Sequence, residues 1–190
     1  MNLPNKLTVM RIIMIPVFVA VYYINALPYN YLIAAVIFAL AAFTDFLDGY
    51  IARKYNLVSD LGKFLDPIAD KVLVAAALVV MLVVPNGGAA ILPSYAAIFI
   101  AVILARELII SGFRMVAASK GKVLAADKAG KLKTVTQDIA ITLLLIGAEF
   151  QAGVYTTLNI IGLVALCLAT VLTVVSGTEA IAKNVSVLKD

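Results

Sequence analysis

DFLDGYIARKYNLVSDLGKFLDPIAD, residues Asp45–Asp70, sets four carboxylates, Asp45, Asp48, Asp66 and Asp70, against or inside some of the most apolar sequence in the chain. A carboxylate in hydrocarbon is expensive, and ionisable residues within membrane segments mark function by default. The surroundings are indeed membrane-like. Of the 190 residues, 64% are hydrophobic and 14% charged, against about 45–50% and 25% in soluble domains. The length suits a single domain spanning residues 1–190.

Outward from this stretch, six segments reach the ~20 apolar residues that a spanning helix needs: 6–27, 31–53, 66–86, 92–118, 131–149 and 154–183. Turn chemistry separates them at Pro28 with Asn30, at Pro85-Asn86-Gly87-Gly88 and at Gly153. The last segment exceeds the bilayer requirement, so its end protrudes or turns along the surface. The first turns apolar after modest positive charge and shows no small-residue cleavage site, so it reads as an uncleaved span rather than a signal peptide. The expected fold class is therefore an all-α integral membrane protein with six transmembrane helices.

Charge orients it. Lys and Arg gather in cytoplasmic loops. With both termini cytoplasmic, residues 1–11, 53–71, 106–133 and the C-terminal tail face inward, and together they hold every Lys and Arg of the chain. The loops near 28–30, 86–91 and 150–153 hold none. The net charge of +4 then reflects anionic lipid rather than nucleic acid. The four aspartates lie on the cytoplasmic side.

Residues three, four and seven apart share a helix face. Asp45, Asp48, Gly49 and Ala52 line one stripe of the second segment, and Asp66 and Asp70 one face of the third. These segments are expected as antiparallel neighbours joined by Lys54–Gly62, presenting two half-sites to each other. Asp60 falls outside both faces and reads as a solvated loop residue. Four carboxylates repel without cations, and hard oxygen ligands suit Mg²⁺, Mn²⁺ or Ca²⁺ rather than zinc. Two divalent ions would neutralise four charges and could clamp a phosphoryl transfer. Gly49 and Ala52 leave room beside the carboxylates or serve helix packing, and Gly62 permits a close approach. The chain has no histidine, which excludes Ser–His–Asp, Cys–His and histidine–zinc chemistry. Its single cysteine, Cys167, sits in an apolar stretch and has no disulfide partner.

The pattern Asp45-x-x-Asp48-Gly49-x-x-Ala52-Arg53, an eight-residue spacer, then Gly62-x-x-x-Asp66-x-x-x-Asp70 fills every fixed position of the CDP-alcohol phosphatidyltransferase signature, which the chain resembles along its whole length. The resemblance implies transfer of a phosphatidyl or related group from a CDP-linked donor to an alcohol, with release of CMP. It implies two metal ions, Mg²⁺ or Mn²⁺, held by Asp45, Asp48 and Asp66 with help from Asp70, and Asp70 as base for the acceptor hydroxyl. Asp48, Gly49, Ala52, Arg53 and Gly62 would cradle CDP-diacylglycerol. Homodimerisation and a bacterial plasma membrane location, with the site facing the cytoplasm, come from the same likeness.

The acceptor is read from the second half. Arg106 and Arg114, about two helical turns apart, Lys131 and Lys133 flank the cytoplasmic ends of segments four and five, and such a cluster suits a phosphate-bearing acceptor. Lys120, Lys122 and Lys128 read as ordinary inward-facing charge. Asn2-Leu-Pro-Asn5-Lys-Leu-Thr8-Val-Met-Arg11, Ala105-Arg106-Glu107 and Gly130-Lys131-Leu-Lys133-Thr134 resemble the phosphatidylglycerophosphate synthase branch, whose acceptor is sn-glycerol 3-phosphate. By that likeness Arg106, Arg114 and Lys131 hold the acceptor phosphate, while Glu107 orients or neutralises Arg106. Inositol phosphate would want a similar pocket. A prenyltransferase would space its aspartates differently. A cation transporter would need charge across the bilayer, and the outer halves of the spans read as uncharged.

Overall fold

A computed structural model describes residues 2–55, 59–83, 90–121, 128–150 and 152–185; the side chains of Arg53, Asp60, Leu61, Lys63, Phe64, Lys128, Ala129 and Ala152 fall outside the described set. Six helices follow in order: α1 (Leu3–Tyr23), α2 (Asn30–Lys54), α3 (Asp60–Leu82), α4 (Ala96–Ser119), α5 (Lys128–Glu149) and α6 (Ala152–Lys183). No strand occurs among the described residues. The chain is an all-α integral membrane protein. Four helices, α1, α2, α4 and α6, are long and apolar enough to cross a membrane. The other two, α3 and α5, match them in length, with 23 and 22 residues. They carry the charges Asp66, Asp70 and Lys71, and Lys131, Lys133 and Asp138.

Each expected segment has its helix, with shifted ends. The largest shift is in α3, which starts at Asp60 rather than at residue 66. Ser59 explains it: the side chain accepts a hydrogen bond from the Gly62 N–H at 3.0 Å, an N-cap that satisfies one of the helix's orphan donors. Asp60 is therefore the first helical residue, not a loop residue. Gly153 is likewise no break, because it lies in the first turn of α6. The Pro85–Gly88 turn lies outside the described residues. α6 runs unbroken for 32 residues, about 48 Å at 1.5 Å per residue, so its end extends beyond the ~30 Å hydrocarbon core without turning.

The larger correction concerns neighbours. α2 and α3 touch each other little, and α1 lies between them with extensive contacts to both. The core runs through Phe18 and Tyr22 of α1, Ala34, Ala35 and Phe38 of α2, Leu73 and Leu78 of α3, and Ile141 and Leu144 of α5. α5 and α6 form the most extensive pair, and glycine is the reason. A Cβ on Gly162 would stand 2.6 Å from Leu144 Cγ, and one on Gly147 would stand 3.0 Å from Leu158 Cβ. Small residues let membrane helices approach closely where no hydrophobic effect drives them together.

At the end away from the four aspartates, Glu149 caps α2. Its Oε2 accepts from the backbone N–H groups of Tyr31 and Leu32 at 3.1 and 3.4 Å. The outer halves of the spans are thus not free of charge. This carboxylate sits where a helix N-terminus favours negative charge.

Candidate active site

α1 gathers the carboxylates. Asn5, Thr8 and Arg11 recur at three-residue spacing on one face of an otherwise apolar helix, and all three are buried. Arg11 Nη1 donates to Asp45 Oδ1 and Nη2 to Asp48 Oδ2, each at 2.5 Å. Its Nε faces Thr44 Oγ1 at 3.5 Å. One turn earlier, Thr8 Oγ1 donates to Asp66 Oδ1 at 2.6 Å. A further turn back, Asn5 Oδ1 accepts from Ser59 Oγ at 2.8 Å, the same hydroxyl that caps α3. Aspartates from α2 and α3 are therefore brought together over α1 rather than face to face.

Gly62 belongs to this contact. An added Cβ would lie 2.9 Å from Asn5 Oδ1 and 3.2 Å from Ser59 Oγ. The close approach that the sequence allowed at Gly62 is made, in this arrangement, by a side chain of α1. Gly49 and Ala52 follow Asp48 on α2 and are half-buried. Arg53 ends the same run of α2, with its side chain outside the described residues.

The aspartates differ in setting. Asp48 is buried, 3% exposed in its side chain, whereas the Asp45 side chain is 40% exposed. Asp70 looks another way, into a cavity of about 260 Å³ between α3, α4 and α5. Glu107, Lys133 and Gln137 line its polar end, and Val74, Leu104 and Leu108 its apolar wall. Among the described residues no three carboxylates already converge as a metal cluster. The donor set is nonetheless all oxygen, Asp45, Asp48 and Asp66 each have a second oxygen besides the one bonded to α1, and Asp45 is open to its surroundings. That chemistry fits hard divalent ions.

The expected acceptor cations separate. Arg106 Nε donates to the Thr173 carbonyl at 3.0 Å, Nη2 to Ser176 Oγ at 2.8 Å and Nη1 to Glu107 Oε1 at 3.0 Å. Arg114 and Lys131 are exposed. Lys133 is the buried cation of α5, 5% exposed, with Nζ 2.7 Å from Glu107 Oε1. Lys131 and Lys133 are two residues apart, about 200° around a helix, so they cannot share a face. Gln137, four residues beyond Lys133, does share its face and is 1% exposed. Sequence alone does not single out Asn5, Thr8 and Arg11 as site residues or Gln137 as a cavity residue, and it gives Lys133 only as one member of the cytoplasmic cation cluster. The signal was present for α1 in the three-residue recurrence of polar groups along an apolar span.

Comparison with known proteins places the chain among relatives. The profile of the CDP-alcohol phosphatidyltransferases matches residues 1–175. A Bacillus subtilis protein named CDP-diacylglycerol–glycerol-3-phosphate 3-phosphatidyltransferase is 39% identical over 99% of this chain and 97% of its own length. A Rickettsia typhi protein of the same name is 41% identical over 93% of both chains. One from Salmonella typhimurium is 42% identical over 76% of both. Members of this family use divalent metal ions. With three of its signature aspartates, Asp45, Asp48 and Asp66, bonded to α1 and a family match running from the first residue through most of α6, the chain belongs to the CDP-alcohol phosphatidyltransferase family.

Proposed function

We propose that this protein transfers the phosphatidyl group of CDP-diacylglycerol to sn-glycerol 3-phosphate, releasing CMP and forming phosphatidylglycerophosphate. It does so as one domain at the cytoplasmic face of the bacterial plasma membrane, with both termini inside and α3 and α5 completing six spans. The observation that carries this reading is the cavity that Asp70 shares with Lys133. It puts the Asp70 carboxylate, on the same helix that delivers Asp66 to α1, and the buried Lys133 of α5 on one small, largely apolar pocket. At about 260 Å³ the pocket falls below the ~300–1,000 Å³ of drug-sized sites, which suits a small acceptor rather than a diacyl lipid. The relatives' shared name supplies the acceptor.

Asp45, Asp48, Asp66 and Asp70 would hold two ions, Mg²⁺ or Mn²⁺. When bound, such ions would supply Lewis-acid chemistry, drawing charge from the attacked phosphorus. Asp70 takes the proton of the acceptor hydroxyl as its oxygen attacks the phosphatidyl phosphorus, and the bond to the CMP oxygen breaks. With no histidine in the chain, a carboxylate is the available base. Asp48, Gly49, Ala52, Arg53 and Gly62 hold the CDP end of the donor. Arg106, Arg114 and Lys131 supply the positive field of the acceptor side, and Lys133 supplies the contact within the cavity.

The test is product formation. Purified protein in detergent with CDP-diacylglycerol, glycerol 3-phosphate and Mg²⁺ or Mn²⁺ should release CMP and phosphatidylglycerophosphate. EDTA should stop it, inositol phosphate should not replace the acceptor, and Asp70→Asn should fold without turning over. Absence of product with either metal refutes the proposal.

A further inference from the structure

Glu107 is bonded on two sides. Its Oε1 accepts from Lys133 Nζ at 2.7 Å, across to α5, and from Arg106 Nη1 at 3.0 Å, its neighbour on α4. Arg106 in turn is laid against α6. Two further donors go to the Thr173 carbonyl and Ser176 Oγ, and a Cβ on Gly177 would stand 3.0 Å from Arg106 Cγ and Nε. A guanidinium is a planar fork, so three committed edges fix its direction. Lys133 is the opposite case. A lysine ends in a rotatable ammonium on a four-carbon stem, and the hydrogen bond this ammonium makes among the described residues goes to Glu107. Glu107 supplies the missing constraint, and it does so at the wall of the cavity that Asp70 shares. One carboxylate held between two cations leaves this triad one positive charge in surplus, the balance that an anionic ligand needs.

We propose that Glu107 is a positioning residue: aimed from α6 through Arg106, it holds the Lys133 ammonium at the Asp70 cavity in the place where the acceptor phosphate binds, so that Ser176 and Gly177 of α6 set acceptor affinity without touching the acceptor. This rests on the reading of the cavity as the acceptor site. It differs from plain neutralisation in the sign of its effect. A carboxylate that only neutralises competes with the phosphate for Lys133, and its removal tightens acceptor binding. A carboxylate that positions loosens acceptor binding when removed.

The full-length protein in detergent tests this with Glu107→Gln, Glu107→Asp, Ser176→Ala and Gly177→Ala. KM for glycerol 3-phosphate, KM for CDP-diacylglycerol and kcat are measured, together with the gain in heat stability given by inorganic phosphate without donor. Glu107→Gln should raise the acceptor KM about tenfold or more, the loss of a charged hydrogen bond, with the donor KM within about twofold. Glu107→Asp should recover part of that loss. Gly177→Ala and Ser176→Ala should raise the acceptor KM severalfold and reduce the phosphate-dependent stabilisation in step. Because these two lie away from the cavity, they carry the test if Glu107→Gln fails to fold. An acceptor KM that is unchanged or lower in Glu107→Gln overturns the inference, as does a rise in both KM values together, or a wild-type protein that inorganic phosphate does not stabilise. A wild type that is stabilised by phosphate, with the effect lost in Glu107→Gln, but that makes no phosphatidylglycerophosphate upholds the inference and removes the acceptor assignment instead.

Discussion

Replacing Arg11 by Met should unfold the site end of the protein before it alters anything else. Arg11 is fully buried, and its two hydrogen bonds run to Asp45 and Asp48. Removing one partner of a buried ion pair costs about 3–5 kcal/mol, because the other charge stays behind without compensation. Here the two carboxylates do not count equally. The Asp45 side chain is 40% exposed and reaches water, where an ion pair is worth at most about 1 kcal/mol. Asp48, at 3% exposure, does not. The loss should therefore lie at the low end, about 3 kcal/mol. In a chain of this size that lowers Tm by roughly 6–12 °C.

The same reasoning fixes a second and a third measurement. Asp48→Asn in the Arg11→Met background removes the stranded charge, so the two changes should be less than additive by about 1–3 kcal/mol. Mg²⁺ should stabilise Arg11→Met more than wild type, since a divalent ion then neutralises carboxylates that have lost their guanidinium. Thermal unfolding of purified protein in detergent, with and without Mg²⁺, reads all three. Melting of Arg11→Met within about 2 °C of wild type, or strict additivity with Asp48→Asn, would show that Arg11 is not the group holding these carboxylates. Arg11→Lys should fall between, since one ammonium cannot reproduce a two-pronged contact.

Three further substitutions probe the frame. Gly62→Ala puts a Cβ 2.9 Å from Asn5 Oδ1 and should destabilise by about 1–3 kcal/mol, with Asn5→Ala relieving part of the loss in the same thermal assay. Gly162→Ala meets Leu144 Cγ at 2.6 Å and should separate α5 from α6 at a similar cost; Leu144→Ala in the same chain should restore stability towards that of Leu144→Ala alone. Glu149→Ala strips the cap from two N–H groups of α2 and should cost about 1 kcal/mol, a fall in Tm of about 2–4 °C. Its turnover should stay within about twofold of wild type, because sixteen residues of α5 place Glu149 about 24 Å along the helix from Lys133.

The helices were legible because hydrophobic length, turn residues and charge bias all repeat along the chain. The aspartate signature was legible because its spacing matches the period of a helix. Helix neighbours were not. Apolar membrane helices carry no strong directional mark of which partner they meet, so α2 and α3 were read as facing each other on the strength of a short loop. The structure inserts α1 instead, through Thr8 and Arg11. Arg11 reads from sequence as inward-facing charge and as the end of a family-like stretch, although an arginine two turns inside a span is itself a sign of a buried partner. Lys131 was taken as the phosphate ligand by local likeness. Helix geometry keeps it off the face of Lys133, and Lys133 is the one of the two that lines the cavity.

The ion pairs on either side of Asp66 and Asp70 carry opposite imbalances. On α1, one guanidinium serves the two carboxylates Asp45 and Asp48, and Asp66 beside them takes only a neutral hydroxyl from Thr8. That group is in deficit of positive charge. Across α3, Arg106, Lys133 and Lys71 meet the carboxylates Glu107 and Asp70, three positive charges against two negative. A deficit favours cations, and the divalent ions that this family uses are cations. A surplus favours an anion, and an acceptor phosphate is one. α3 separates the two groups, with Asp66 turned to the first and Asp70 to the cavity of the second. Four residues, about 6 Å along the helix, span the distance from one to the other, and a phosphoryl group crossing from donor to acceptor has only to pass between them.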